Sequence, residues 1–121
     1  MLECYFRACS IKVSCLDLAK IAYVFANKGK NIQTGEDIFD KKHARYINAV
    51  LMNCGMYDGS GEFAVNVGIP AKSGVGGGIM AIVPNKMGIG IYSPALDRKG
   101  NSYAGIKALE LLSRELDLSI F

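Results

Sequence analysis

Two short apolar segments separated by a three-residue turn constrain the fold of this 121-residue chain most strongly. The segments run from Gly78 to Val83 and from Met87 to Tyr92, with Pro84-Asn85-Lys86 between them. Two segments of this length joined by such a turn are typical of an antiparallel β-hairpin. Because both segments are apolar throughout, we expect them to form a sheet that is covered by helices on both faces.

The residues before the hairpin predict two helices. Residues 13–28 have Ser14 as a candidate N-cap and Asp17 as its capping-box partner. The body of this helix, "LAKIAYVFA", is apolar almost all round, so we expect it to be buried on several sides. A second helix is predicted to start after Asp40 and to end at Gly55.

The remaining segments complete the predicted fold. Glycines in residues 55–67 indicate a tight turn followed by a short helical or extended piece. A last helix begins at Asn101 or Ser102 and repeats leucine or isoleucine at helical spacing. With no internal repeat and no linker, this order predicts one α+β domain in which helices pack on an antiparallel sheet.

Charge and hydropathy exclude two classes of partner. The net charge is +3, and the basic residues are scattered rather than aligned with aromatic residues, so we expect no binding to nucleic acid. No apolar run approaches the roughly 20 residues that span a bilayer, so we expect no membrane insertion. The first residues lack the pattern of a signal peptide, which predicts a cytoplasmic location.

The cysteines and the single histidine do not form a recognisable metal site. The four cysteines have no C-x-x-C spacing, and His43 is the only histidine. We therefore expect reduced, mostly buried thiols. His43 shares a helix face with apolar residues and has no second histidine or nearby acidic partner in the pattern, so it is interpreted as a packed or rim residue.

The glycine-rich stretch "PAKSGVGGGIMAIVP" is the strongest candidate for a functional site. A phosphate-binding P-loop places Lys and Ser/Thr after its glycines and at the start of a helix. Here Lys72 and Ser73 precede the glycines and a strand follows, so the order is reversed. A dinucleotide-binding fingerprint is excluded as well, because no strand-turn-helix unit begins here.

The triplet Lys72-Ser73-Gly74 fits the K-[ST]-G pattern of the penicillin-recognising serine hydrolases. On such a strand the lysine supplies positive charge, the hydroxyl can bond the substrate, and backbone N–H groups can face an oxyanion. Three residues alone are weak evidence and are more typical of a glycine-rich strand that packs against a helix. No serine of the chain is followed by lysine three positions later, so the nucleophile of such a site would lie outside this chain.

Longer motifs carry a more specific resemblance. The segments "CGMYDGSGEFA" and "GIPAKSGVGGGI", together with "YFRACSIKVSCLDLAKIAYVFANKG" and "LSRELDLSIF", resemble the C-terminal portion of the serine-dependent glutaminases. The resemblance covers essentially all of residues 1–121. It implies a β-lactamase/transpeptidase-like fold, no metal or other cofactor, and hydrolysis of L-glutamine to L-glutamate and ammonia through a glutamyl-serine intermediate.

The same resemblance assigns roles by position. Tyr57 matches the catalytic and substrate-binding tyrosine beside the nucleophile, and Tyr5 matches a tyrosine that contacts the substrate. Val75 matches the residue whose backbone N–H binds the substrate and completes the oxyanion hole. Lys72 and Ser73 are expected beside them as residues of the pocket wall.

Residues 1–121 are thus expected to form the C-terminal portion of a single glutaminase domain that is inactive alone, because the Ser-x-x-Lys motif is absent. Hydrophobic residues make up 50% of the chain, which predicts a homo-oligomer or association through the surface left by the missing part. Two alternatives remain: a non-catalytic interaction module of the same fold that needs a partner chain, and a different amidase or penicillin-type acyltransferase. The long "CGMYDGSGEFA" motif argues against the latter.

Overall fold

The computed structural model describes residues 1–121 as five α-helices and one three-stranded sheet. None of the helices has the length and apolar character needed to cross a membrane. The helices are α1 Leu2–Cys9, α2 Cys15–Ala26, α3 Lys41–Cys54, α4 Ser60–Asn66 and α5 Tyr103–Leu116, and the strands are β1 Ala71–Ser73, β2 Gly78–Val83 and β3 Met87–Tyr92.

Three helices begin at the caps that the sequence predicts. The Ser14 hydroxyl accepts from the Asp17 N–H at 3.2 Å, and the Asp17 carboxylate accepts from the Ser14 N–H at 2.8 Å. The Asp40 carboxylate accepts from two N–H groups in the first turn of α3, and the Ser102 hydroxyl accepts from one in α5. These bonds satisfy N–H groups that have no partner within the helix, and they confirm the predicted helix starts.

The sheet has the order β1-β2-β3, and both pairs are antiparallel. The predicted hairpin is confirmed, since β2 and β3 have the predicted bounds and Val83 pairs with Met87 across the turn. The short strand β1 joins the other edge of β2, with Lys72 opposite Met80. The outer edge of β3 has no partner strand among residues 1–121.

The two faces of β2 contribute to two different cores. Ile79, Ala81 and Val83 face α4 and α5, whereas Ile82, with the half-buried Met80, packs with α2 and α3. This alternation follows from the two-residue period of a strand. The larger core contains Met56, Phe63, Val67, Ile69, Ala71, Ile79, Ala81, Val83, Leu109 and Leu118.

Two glycines in β3 allow α2 to lie directly against the sheet. A Cβ atom at Gly88 would lie 2.2 Å from the Ala19 carbonyl oxygen, and one at Gly90 would lie 2.1 Å from the Cys15 carbonyl oxygen. No side chain fits in that space, so glycine at both positions sets the distance between helix and strand.

The predicted burial of α2 and of the cysteines is wrong. Only Ala22 and Ala26 of α2 are buried, while Leu16 and Ile21 are exposed, because the helix contacts the sheet through one side only. All four cysteines are free and exposed. They lie on α1, which has no buried residue, at the start of α2 and at the end of α3.

The expectation that His43 has no nearby acidic partner is wrong. His43 is exposed rather than packed, and its Nδ1 lies 3.1 Å from the Asp40 carboxylate. The helix cap therefore supplies an acidic partner three residues earlier. The Asp40 pKa is lowered, chiefly because its carboxylate accepts a hydrogen bond from the His43 backbone N–H.

Candidate functional site

Tyr57 lies in a left-handed turn between α3 and α4. Its φ angle is +51°, a conformation that few residues other than glycine adopt. Such a conformation costs on the order of 1–3 kcal/mol and persists where the surrounding structure enforces it. Met56 and Gly59 on either side are buried, whereas the Tyr57 side chain is 41% exposed, so the turn presents the phenol at the surface.

Hydrogen bonds from two buried side chains hold this turn. The Met56 N–H donates to Ser60 Oγ at 3.0 Å, and the Ser60 hydroxyl donates to the Tyr57 carbonyl at 2.8 Å. Asn101 Nδ2 donates to the Met56 carbonyl at 3.0 Å. The backbone is therefore fixed on both sides of the Tyr57 Cα, which supports the strained φ angle.

Asn101 is itself held in place. It is fully buried, and its N–H donates to the Asp97 carboxylate at 2.9 Å. A Cβ atom at Gly59 would lie 3.2 Å from Asn101 Nδ2, so glycine there lets the amide approach the turn. Neither Ser60 nor Asn101 was predicted as part of the site, and Asn101 was expected only as a possible start of the last helix. The only local signal is a serine that closes a glycine-rich turn, as Ser60 does.

Strand β1 brings Lys72 to Tyr57. Lys72 Nζ lies 4.7 Å from the centroid of the Tyr57 ring, which is within the range of a cation–π interaction. The Lys72 ammonium also donates to the Ser73 carbonyl. Because the Ser73 N–H donates to the Gly55 carbonyl at 2.9 Å, β1 is tied to the start of the turn that carries Tyr57.

Ser73 points away from this surface. It is 1% exposed and lies opposite Ile79, whose side chain belongs to the core beneath α5. Its Oγ has no hydrogen-bond partner, and an unsatisfied buried hydroxyl costs about 1–3 kcal/mol. In this structure Lys72 is the member of the triplet that faces Tyr57, and Ser73 contributes its backbone to the wall.

Val75 lies in a tight turn between β1 and β2. The Gly74 N–H donates to the Gly78 carbonyl, and the Gly77 N–H donates to the Gly74 carbonyl, both at 2.9 Å. The Val75 N–H has no acceptor within the protein, and its side chain is exposed. The turn therefore leaves the N–H groups of Val75 and Gly76 without an acceptor beside the strand that carries Lys72.

Tyr5 lies on α1 with most of its side chain exposed. Its pKa is raised, chiefly by the Cys9 thiol one helical turn away. Among the predicted site residues, Lys72 contacts the Tyr57 ring. Tyr5 and the Val75 turn contribute a second phenol and free N–H donors.

Comparison with known proteins identifies what this arrangement is similar to. The family model described as Glutaminase matches residues 1–121. The glutaminase of Clostridium tetani is 60% identical over 121 residues, which cover 100% of this chain and 40% of that protein. The glutaminase of Clostridioides difficile is 57% identical and is covered to 39% of its length. The chain thus spans about two fifths of the curated relatives it matches.

Solved structures agree in fold. A probable glutaminase from Bacillus subtilis complexed with 6-diazo-5-oxo-L-norleucine is 42% identical, with a TM-score of 0.96 over 99% of this chain and 42% of that one. A covalent complex of a B. subtilis glutaminase with 5-oxo-L-norleucine is 43% identical, with a TM-score of 0.88 over 90% of this chain and 40% of that one. The predicted α+β fold of β-lactamase/transpeptidase type is confirmed.

Proposed function

The chain belongs to the glutaminase family, and on that premise we propose that residues 1–121 form the C-terminal part of a domain that hydrolyses L-glutamine to L-glutamate and ammonia. The observation that carries the proposal is the left-handed turn that presents Tyr57 beneath the Lys72 ammonium. A backbone strained at one tyrosine, and held by two buried side chains, is the kind of feature that clusters at active sites.

The proposed reaction needs a serine from outside these residues, since no Ser-x-x-Lys motif is present within them. The serine oxygen attacks the side-chain amide carbon of glutamine, its proton passes to the departing nitrogen, and ammonia leaves behind a glutamyl ester. Water then cleaves the ester and restores the serine. The covalent complex of the B. subtilis relative with 5-oxo-L-norleucine supports a covalent intermediate for this chain's family.

Tyr57 is the proposed proton carrier and also contacts the substrate. A nearby cation stabilises the negative charge that develops on a phenol while it carries a proton between two groups. Lys72 is the cation that these residues place against the ring. Any lysine that accompanies the serine nucleophile would add to this effect.

The remaining roles concern substrate binding. The free Val75 N–H is the proposed donor to the amide oxygen as it becomes an oxyanion, an interaction of about 3 kcal/mol in comparable sites. Tyr5 is proposed to contact the substrate from α1. Lys72 forms the pocket wall with its side chain, and Ser73 supports that wall from beneath.

Association is a further part of the proposal. The apolar side chains of Leu2, Phe6, Leu16 and Ile21 are exposed, and the outer edge of β3 has no partner strand. We propose that residues completing the glutaminase domain cover this surface, and that residues 1–121 alone self-associate through it. A cytoplasmic location remains a prediction, and four free, exposed thiols are consistent with a reducing compartment.

One alternative is favoured by a specific observation. Because the 121 residues contain no Ser-x-x-Lys motif, they could act as a non-catalytic module that binds a partner chain. A non-catalytic module and a glutaminase part predict different results when the rest of a glutaminase domain is supplied. A module would bind that portion without producing activity, whereas a glutaminase part would restore ammonia release.

The test is a complementation assay. The portion of the C. tetani glutaminase that lies outside the matched region is fused to residues 1–121, and ammonia release from glutamine is measured for the hybrid and for residues 1–121 alone. We expect turnover by the hybrid and none by the shorter chain. A hybrid that folds, by circular dichroism, but releases no ammonia would favour the module. Turnover by residues 1–121 alone would contradict the proposed division of the site.

A further inference from the structure

A groove of about 690 Å³ opens between the C-terminal end of α2, α3 and the last residues of the chain. It includes Pro70 and Pro84, which lie at the end of the sheet opposite the Gly74–Gly78 turn. None of the residues assigned to the candidate site lines it. Its volume is in the range of pockets that bind small organic molecules.

The groove has an apolar floor. Phe25, Ala44 and Met52 contribute from the two helices, and Pro70 and Pro84 from the end of the sheet. Ala44 is 2% exposed, so part of this floor is rigid core surface rather than loop. An apolar body would therefore lose contact with water on entering the groove.

The charged side chains that line the groove are all cationic. Lys28, Lys41, Lys42 and Arg45 line it, and no aspartate or glutamate does. None of these four cations takes part in any of the six ion pairs of the protein. Unpaired charges of one sign around a low-dielectric concavity raise the local concentration of oppositely charged ligands.

The positions of two of these lysines work against helix stability. Lys41 and Lys42 lie in the first turn of α3, where the helix dipole disfavours cations and where no acidic residue follows the Asp40 cap. The Asp40 carboxylate is occupied by backbone N–H groups of α3 and by His43. An anion bound in the groove would offset the repulsion between the dipole and these lysines.

One polar group on the groove lacks a partner. Asn48 Nδ2 donates to the Phe25 carbonyl at 3.4 Å, which sets the orientation of the amide. Its Oδ1 is buried and accepts no hydrogen bond from the protein. Because this oxygen is not accessible to solvent, it lies beneath the surface of the groove and is not part of the surface that a ligand would contact.

We propose that this groove binds an amphiphilic organic anion, with its carboxylate at Lys41, Lys42 and Arg45 and its apolar chain on the floor. The apolar floor makes an inorganic anion a poorer fit, and the four cations make an apolar cation a poorer fit. This site is independent of glutamine hydrolysis, so its failure or success does not bear on the proposed function.

The test is a calorimetric titration of the full chain with three probes. Decanoate has both the charge and the chain, inorganic phosphate has only the charge, and decyltrimethylammonium has only the chain. We expect decanoate to bind at least tenfold more tightly than either of the other two. If phosphate binds as tightly as decanoate, the groove recognises only negative charge. If decyltrimethylammonium binds as tightly as decanoate, the groove recognises only an apolar chain. Either result overturns the proposal.

Three variants test whether decanoate binds in this groove. The Lys42→Gln/Arg45→Gln double variant and the floor-filling Ala49→Trp variant should each weaken decanoate binding at least tenfold, with unchanged circular dichroism. The matched control Lys20→Gln/Arg98→Gln removes two exposed cations that do not line the groove and should bind as the unaltered chain does. Equal affinity of all three variants would overturn the assignment to this groove.

Two further measurements identify the source of the anion. Co-sedimentation with phosphatidylglycerol vesicles that requires Lys42 and Arg45 would assign the groove to a lipid anion. Decanoate binding without such co-sedimentation would assign it to a free carboxylate. A second copy of this chain as occupant would appear in sedimentation velocity as a dimer that the double variant abolishes, and it would overturn the proposal.

Discussion

The ammonium nitrogen of Lys72 lies 4.7 Å from the centroid of the Tyr57 ring, so β1 and the left-handed turn after α3 present a cation and a phenol side by side. The Ser73 N–H, which donates to the Gly55 carbonyl, couples the two elements. This pair defines the part of the proposed active site that residues 1–121 contribute.

Replacing Lys72 should separate its chemical role from its structural one. An exposed cation–π contact is worth about 0.5–1 kcal/mol, so Lys72→Met should change the free energy of unfolding by no more than that. In the hybrid enzyme the same change should lower kcat/KM at least tenfold, because the cation beside Tyr57 is lost. Lys86→Met removes an exposed lysine of the hairpin turn and should leave both quantities unchanged. A Lys72→Met hybrid with full activity would exclude this lysine from the site.

Asn101 should stabilise the turn that carries Tyr57. Asn101→Ala removes the donor to the Met56 carbonyl and leaves a buried acceptor unpaired, which should cost about 1–3 kcal/mol of unfolding free energy in urea denaturation. Asn53→Ala is the matched control, because Asn53 makes a similar bond to a carbonyl on the exposed surface of α3. If both variants lose the same small amount, the bond from Asn101 does not support the turn.

Gly90 should be required for the contact between α2 and β3. A Cβ atom there would overlap the Cys15 carbonyl oxygen at 2.1 Å, so Gly90→Ala should displace the helix and lower the free energy of unfolding by at least about 2 kcal/mol. Gly61→Ala is the control, since nothing lies within 4 Å of a Cβ at that helical position. That variant should be unchanged or more stable by up to about 1 kcal/mol. Equal stability of the two variants would contradict the described packing.

The Asp17 capping box should contribute to acid sensitivity. The Asp17 pKa is lowered, first by the hydrogen bond from the Ser14 backbone N–H and then by the one from the Ser14 hydroxyl. A lowered folded-state pKa stabilises the fold above the unfolded pKa of about 3.9, and this contribution disappears as the pH falls through the lower folded value.

Asp17→Asn should therefore flatten the dependence of unfolding free energy on pH below about 4. Urea denaturation at a series of pH values measures this slope. Glu36→Gln, on the exposed connection between α2 and α3, serves as the comparison. If the slope is as steep in Asp17→Asn as in the unaltered chain, the capping box does not contribute to the pH dependence of stability.

Local features of the fold could be predicted from the sequence, and long-range ones could not. Ser14, Asp40 and Ser102 act on N–H groups within three residues, and the hairpin is closed by a three-residue turn, so each signal lies within a short window. Whether α1 and the cysteines are exposed depends on contacts between segments that are far apart in the sequence. An apolar segment looks the same in sequence whether or not a second layer covers it.

The candidate site shows the same division. Tyr5, Tyr57 and Val75 could be named only through resemblance to glutaminases, because an exposed tyrosine and a free backbone N–H have no signature of their own. The bond from Asn101 to Met56 joins residues 45 positions apart, and a positive φ at a tyrosine contradicts local preference. Patterns within a short stretch of sequence therefore do not indicate the contacts that hold Tyr57 in place.

The central claim, that residues 1–121 supply the Tyr57 side of a glutaminase active site, is tested most directly by kcat of the hybrid enzyme with Tyr57→Phe. Loss of the proton-carrying hydroxyl should lower kcat by about 10²–10⁴-fold while circular dichroism stays unchanged. The control Tyr103→Phe removes the hydroxyl of another exposed tyrosine, at the start of α5, and should keep full kcat. A Tyr57→Phe hybrid that releases ammonia as fast as the Tyr103→Phe hybrid would contradict the account.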